Sequence, residues 1–322
     1  MKKKILFLIH DLGHGGAEKV LVNLVNNMDR TKFDISVTVL FGGGVNEQFL
    51  RPDIHFRAVW KKSIPGNSKL MKALSPEKLH QICVKDHYDI EVSYLEGPSA
   101  RIISSCKDPE TKKVCWIHVE QKTAQKAAGS FRSIAEAEDC YNRFDRIIAV
   151  SDTVRQDFTN ILHIRRPVDV LYNTNESAEI LEQAKEPIEE GLLPEGECHL
   201  AGVGKLVKTK GFDRLIRITK LLMDEGFPVH LFILGEGPEK ESLEKQAKAA
   251  QIETKVTFLG YQTNPYKYVA KADLFVCASL AEGFSTAATE ALIVGTPVCT
   301  AEVSGMKEYS REPPIVIASV RL

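Results

Sequence analysis

Short apolar runs bounded by Gly, Pro or polar turn residues recur along the chain, and segments of helical period separate most of them. Ile5–His10, Ile35–Leu40, Phe56–Val59, Ile90–Tyr94, Val114–His118, Ile147–Val150 and Val168–Leu171 read as strands of a first series. Leu200–Val203, Val229–Leu234, Val256–Leu259, Leu274–Ala278 and Val298–Thr300 form a second, with helices near Phe212–Met223, Lys240–Ala250, Pro265–Ala270 and Thr286–Val294. Such alternation of strand and helix argues for a doubly wound sheet with helices on both faces. The reading is an α/β protein of two Rossmann-like, doubly wound domains facing a cleft: residues 1–175, a Glu-rich linker at 176–196 ending in LLPEGE, and a second domain at 197–322. In such sheets ligands bind beyond the carboxyl ends of the strands, so the loops there carry the search for function.

At 322 residues each half is long enough for its own core. The net charge of −1 conceals an asymmetry: residues 1–175 hold 26 Lys and Arg against 21 Asp and Glu, and the remainder holds 16 against 22. That basic excess is too small to argue for nucleic acid. Seven cysteines show no metal-binding spacing, and several fall in strand runs where Cys packs as a small hydrophobe, so a reducing, cytosolic setting is expected. The opening MKKKILFLIHDLG has an apolar run too short for a signal peptide, and no stretch has the apolar length of a membrane span.

The loops of the second half hold the chemistry. Gly204 to Gly211 places Lys205, Lys208 and Lys210 before a helix, suited to phosphate oxygens, although a solvated basic loop reads the same way. Gly235-Glu236-Gly237-Pro238 is a tight turn into the next helix, and Tyr261 follows Gly260 where an aromatic ring could lie beside a base. In DLFVCASLAEGFSTAATEALIVGTP, Glu282 precedes a helix capped by Ser285 or Thr286, and Glu290 lies about a turn inside. Carboxylates accept paired hydrogen bonds from vicinal hydroxyls, and free amides at a helix start favour an anion. Alone, the two carboxylates are equally well read as solvated helix charges.

Taken together, GVGKLVKTKGFDRLI, FILGEGPEKESLE, VTFLGY and EGFSTAATEALIVGTPV resemble the donor half of retaining GT-B glycosyltransferases of family 4. The first half agrees, with Gly-Gly-Ala-Glu at 15–18 and Trp116-Ile117-His118 at a strand end. The resemblance implies transfer of a sugar, with retention, from a nucleoside-diphosphate sugar to a saccharide or lipid-linked saccharide acceptor in bacterial cell-surface polysaccharide synthesis. It implies that Lys205 (relatives more often have Arg) and Lys210 neutralise the diphosphate, and that Glu290 holds the ribose. Glu282, with amides around Gly283, Phe284 and Ser285, would hold the transferred sugar; Gly235, Gly237 and Tyr261 complete the donor site. Gly15 and Gly16 would admit the diphosphate or acceptor, and His118 would contact the sugar at the reacting carbon. No Asp-x-Asp follows a strand, so neither metal nor cofactor is expected.

The acceptor side is thinner. Trp60–Ile64 and Leu70–Leu74 mix apolar and basic groups and suit peripheral contact with anionic lipid at the inner face of the membrane, or an ordinary loop-and-helix surface. After Glu308, the segment Tyr309–Leu322 departs from the family pattern, from which a truncated or frameshifted second domain with reduced or no activity is expected. A nucleotide-sugar-binding remnant without turnover shares every motif. A nicotinamide oxidoreductase is disfavoured, because no Gly-x-Gly-x-x-Gly follows the first strand and no acidic residue ends the second.

Overall fold

A computed structural model describes residues 2–63, 66–301, 304–308 and 315–318. The chain divides into two compact units, Met1–Thr174 and Asn175–Leu322.

The first unit is a parallel sheet of β1 (Lys3–Ile9), β2 (Phe33–Phe41), β3 (His55–Trp60), β4 (Ile90–Ser93), β5 (Lys112–Ile117), β6 (Arg146–Ala149) and β7 (Val168–Val170). Their spatial order is β3-β2-β1-β4-β5-β6-β7. Ile5 of β1 aligns with Ile35 on one side and Ile90 on the other, so apolar side chains stack in rows across the sheet. Helix Gly16–Asn27 lays Leu21, Val22 and Val25 on Ile5, Phe7, Ile9, Val37 and Val39. Truncating one of these buried side chains to Ala would cost about 2–5 kcal/mol.

The second unit repeats the plan with β8 (Cys198–Val203), β9 (Val229–Leu234), β10 (Val256–Gly260), β11 (Leu274–Cys277), β12 (Val298–Ala301) and β13 (Ile315–Ala318). The order is β10-β9-β8-β11-β12-β13, again parallel. In both units the first strand is flanked by the second and the fourth. The direction of winding therefore reverses between β1 and β4 in one unit and between β8 and β11 in the other. Helix Phe212–Asp224 buries Phe212, Leu215 and Ile216 against Leu231 and Ile233.

The stretch 176–196, expected as a linker, is folded into the second unit. Helix Ser177–Gln183 buries Ile180 to 2% exposure and packs on the helices Tyr266–Val269 and Thr286–Ile293. Ile188, Leu192 and Leu193 then pack against Phe232, Leu234 and Tyr268, whose hydroxyl donates to Glu189 at 3.2 Å. Glutamates dominate the composition there, but they sit on the solvent side of an apolar stripe. Of the final segment Tyr309–Leu322, only β13 falls within the described residues, where it pairs with β12. The rest of the expectation about the end of the chain lies outside them.

Candidate functional site

The second unit gathers its polar groups at the reversal between β8 and β11. A recess there is lined by Val203, Lys210, Ala278, Ser279, Glu282 and Ser285, among others. Lys210 follows a single 3-10 turn, Lys208–Lys210, and Gly211 then takes a left-handed conformation with φ of 66°. A Cβ on Gly211 would lie 2.1 Å from the Ala278 carbonyl oxygen, so only glycine lets this loop press against the end of β11. Arg214 Nη1 donates to that same carbonyl at 3.1 Å, and Leu280 N donates to Thr209 O at 2.8 Å. Two loops far apart in sequence are thus locked side by side.

The lock sets the geometry of the charged pair. Lys210 Nζ lies 2.6 Å from Glu282 Oε1, and Ser279 Oγ donates to the same oxygen at 2.6 Å. The Glu282 side chain is 9% exposed, so its charge faces little water and is balanced chiefly by Lys210. Ser285 caps helix Thr286–Ile293 by accepting from Ala288 N at 3.4 Å. Glu290 is buried one turn inside that helix, with Tyr266 Oη donating to its Oε1 at 3.4 Å.

The remaining second-unit positions surround this centre. Lys205 is exposed just past β8. Gly235 and Gly237, expected at the donor, stand where a Cβ would meet the chain's own β8 loop, 1.9 Å from Gly204 O and 2.3 Å from Leu206 O. Backbone bonds join these loops: Gly204 N to Leu234 O, Leu206 N to Glu236 O and Gly235 N to Gly260 O. Tyr261 is exposed beyond β10, and Gly283 and Phe284 lie between Glu282 and the helix start.

The first unit places its candidates at the reversal between β1 and β4 and beside it. Gly15 and Gly16 open helix Gly16–Asn27 after β1. His118 ends β5 with 5% exposure, and its ring packs on Tyr94 at 4.9 Å, which in turn packs on Trp116 at 5.1 Å. Burial pushes the His118 imidazole down to about 3, opposed by a hydrogen bond to the Tyr94 backbone, so the ring is neutral at ordinary pH. His118 Nε2, Tyr94 Oη and Trp116 Nε1 are all buried without a hydrogen-bond partner among the described residues. Buried polar atoms are seldom left so, and here three fall in one aromatic cluster.

Glu96, Tyr94, Ser279 and Arg214 belong to these sites although the sequence reading passed over them. Glu96 accepts from His118 N at 2.9 Å and from Gln121 Nε2 at 3.2 Å, and burial holds its carboxyl above the ordinary value. A polar residue directly after a strand run was the available signal for Ser279, and one two positions beyond the run Ile90–Tyr94 for Glu96; nothing local distinguished Arg214. On the surface expected to meet lipid, Lys61 and Lys62 are exposed, but Met71 is buried. Trp60 stacks on Phe41, and Ile64 lies outside the described residues. The carbonyls of Met71 to Leu74 are capped by Arg101 and Arg132.

Residues 14–174 match the family model Glycosyltransferase Family 4, and residues 184–313 match Glycosyl transferases group 1. A curated relative from Campylobacter jejuni, N-acetylgalactosamine-N,N'-diacetylbacillosaminyl-diphospho-undecaprenol 4-alpha-N-acetylgalactosaminyltransferase, is 27% identical over 315 residues, spanning 95% of this chain and 83% of the relative. The lipopolysaccharide core biosynthesis glycosyltransferase LpsE of Rhizobium meliloti is 23% identical over 92% of this chain and 79% of its own length. Among solved structures, Anabaena HepE in complex with UDP and glucose superposes with a TM-score of 0.71 at 18% identity, covering 98% of this chain and 86% of that one. Sucrose-phosphate synthase from Thermosynechococcus elongatus gives 0.76 at 16%, over 99% and 87%.

Proposed function

This chain belongs to glycosyltransferase family 4, with the two Rossmann-like domains of the GT-B architecture, and we propose that it transfers a sugar with retention from a nucleoside-diphosphate sugar to a saccharide or lipid-linked saccharide acceptor. Assembly of a bacterial surface polysaccharide is the setting proposed for it. The observation that carries the reading is the pair Lys210–Glu282 at the reversal between β8 and β11, beside a capped helix start. A cation and a carboxylate in one recess beside a helix start suit a diphosphate joined to a polyol. The UDP named with HepE makes uridine the first base to try, and the undecaprenol diphosphate in the Campylobacter relative's name supports a lipid-linked acceptor.

In this reading Lys210 and Lys205 neutralise the charge that builds on the leaving phosphate as its bond to the sugar breaks. Fixed cations stabilise that transition state more than the ground state. Glu282 is already engaged by Lys210 and Ser279, so it binds sugar hydroxyls and is not the nucleophile of a two-step displacement. Front-face attack follows: the acceptor oxygen bonds to the sugar on the face the phosphate leaves, and the acceptor proton passes to the departing phosphate oxygen. Neutral His118 offers a hydrogen bond to the sugar, not a proton to the reaction. Glu290 holds the ribose.

Transfer is proposed to need no divalent metal, so chelator added to the assay should leave the rate unchanged. Peripheral contact with the inner face of the membrane is proposed through Lys61 and Lys62; no helix among the described residues is long and apolar enough to cross a membrane. Co-sedimentation with anionic vesicles should fall when both lysines become Glu. The central test is a thermal-shift screen with UDP-, GDP- and dTDP-sugars, followed by NMR of the product anomer. A shift with one nucleotide class and a retained anomer are expected. Inversion would remove the front-face mechanism, and no shift with any donor would remove the reading itself.

A further inference from the structure

Apart from the sugar-transfer site, the first unit holds a group of metal-ligating side chains, and we infer that His80, Glu91 and Cys106 form a zinc site. Glu91 is the anomaly that leads to it. This carboxylate sits within β4, inside a parallel sheet, between Ile90 and Val92, and is 2% exposed. A charge in that position requires compensation by a partner. His80, from helix Pro76–Cys83, brings Nε2 to 2.8 Å from Glu91 Oε2. Cys106, three residues past the end of helix Pro98–Ile103, closes the group with its thiol buried at 8% exposure. One ligand atom from each residue lies within 4.8 Å of the other two.

The 2.8 Å contact and the 4.8 Å limit leave room for tetrahedral coordination. With bonds of about 2.0 Å to nitrogen and oxygen and about 2.3 Å to sulfur, neighbouring ligands of one zinc ion stand roughly 3.3–3.7 Å apart. The His80–Glu91 contact has only to open slightly. Thiolate and imidazole select zinc over calcium or magnesium, which take oxygen ligands. Charge also balances: a thiolate and a carboxylate together neutralise a divalent ion, leaving a neutral buried complex. On binding, the thiol proton and the proton shared between His80 and Glu91 leave to solvent, and three bonds to zinc form. The partly exposed edge of His80 gives the ion a way in and solvent a fourth position. The ligands come from two helical regions and a central strand, so the ion ties helix Pro76–Cys83 and the end of Pro98–Ile103 to the sheet. Their positions, 80, 91 and 106, match no linear metal motif.

The test uses the full chain, dialysed against chelator and then given zinc or cobalt alone. Equilibrium dialysis should find one zinc per chain, and the cobalt form should show a thiolate-to-metal charge-transfer band. Cys106→Ser, close to the native volume, should lose that band and at least about tenfold in zinc affinity, the scale that even outer-shell partners carry. Zinc should raise the melting temperature of the parent protein and not that of Cys106→Ser. His80→Gln should weaken binding as well; if it fails to fold, Cys106→Ser decides alone. Equal zinc binding by the parent and a folded Cys106→Ser, or no charge-transfer band in the parent, would overturn the site and leave a hydrogen-bonded triad.

Discussion

In the second unit Lys210, Ser279 and Glu282 satisfy one another, whereas in the first unit Tyr94, Trp116 and His118 bury three polar atoms that satisfy nothing among the described residues. The two arrangements occupy corresponding places, the carboxyl edges of parallel sheets with the same winding, yet they solve opposite problems. A buried carboxylate must be neutralised at all times, so Glu282 is tied to a cation that a diphosphate can also engage. A neutral hydroxyl, indole or imidazole costs about 1–3 kcal/mol when buried unpaired, a strain a stable domain can carry. The charged recess is therefore suited to anion exchange, and the aromatic cluster to recognition of neutral hydroxyls. Paired charges and unpaired dipoles are two ways in which the proposed sugar site would be preorganised.

The largest effect that could break this contrast is on turnover. Lys210→Ala should lower kcat by about 10²–10³, the scale of losing one preorganised donor to a developing charge, with the fold intact by circular dichroism. A merely raised KM would show that Lys210 only binds. Next in size is the acid response of the aromatic cluster. The folded-state pKa of His118, about 3, lies below its ordinary 6.5. Between those values the unfolded chain holds a proton that the folded chain does not, so this stability is whole above about pH 6.5 and is lost as pH falls through 3. The slope is up to about 1.4 kcal/mol per pH unit. Urea denaturation of the parent and of His118→Gln at about pH 7 and about pH 4.5 should show the smaller acid loss in the variant; equal losses would mean that His118 titrates normally.

Smaller effects sharpen the comparison. Tyr94→Phe removes a buried hydroxyl that has no partner among the described residues and should leave the free protein as stable or up to about 1 kcal/mol more stable, while weakening substrate binding. Destabilisation would show that the hydroxyl is satisfied by bound water. Ser285→Ala should cost about 0.5–1 kcal/mol, the low end for a helix cap, because its bond to Ala288 N is long at 3.4 Å. Thermal melts resolve both.

Much of the fold was legible because strand runs such as Ile5–Ile9 and Leu231–Leu234 are apolar without interruption, a pattern that a two-sided parallel sheet requires. The segment 176–196 was read as a linker because composition hides spacing: its glutamates suggested one, while buried Ile180 and partly buried Ile188, Leu192 and Leu193 pack it onto the second unit. Lys210 and Glu282 were each singled out by residue type and place in the sequence, but their pairing across 72 positions was not legible there. Gly235 and Gly237 were read toward a ligand, and the structure places them against the loop after β8.

The sequence by itself determined the alternation of strand and helix, the two-domain plan, and which strand ends carry charge, because periodicity and turn chemistry are local properties. Only the tertiary structure decided which of those groups meet. Winding that reverses beside β8 brings distant loops to one edge and joins Lys210 to Glu282, while the pairing of β4 with β5 sets Glu96 beside His118. The fold of β4 under helix Pro76–Cys83 likewise brings Glu91 to His80 and Cys106. Contacts of this kind are set by strand order and register, and no local rule records them.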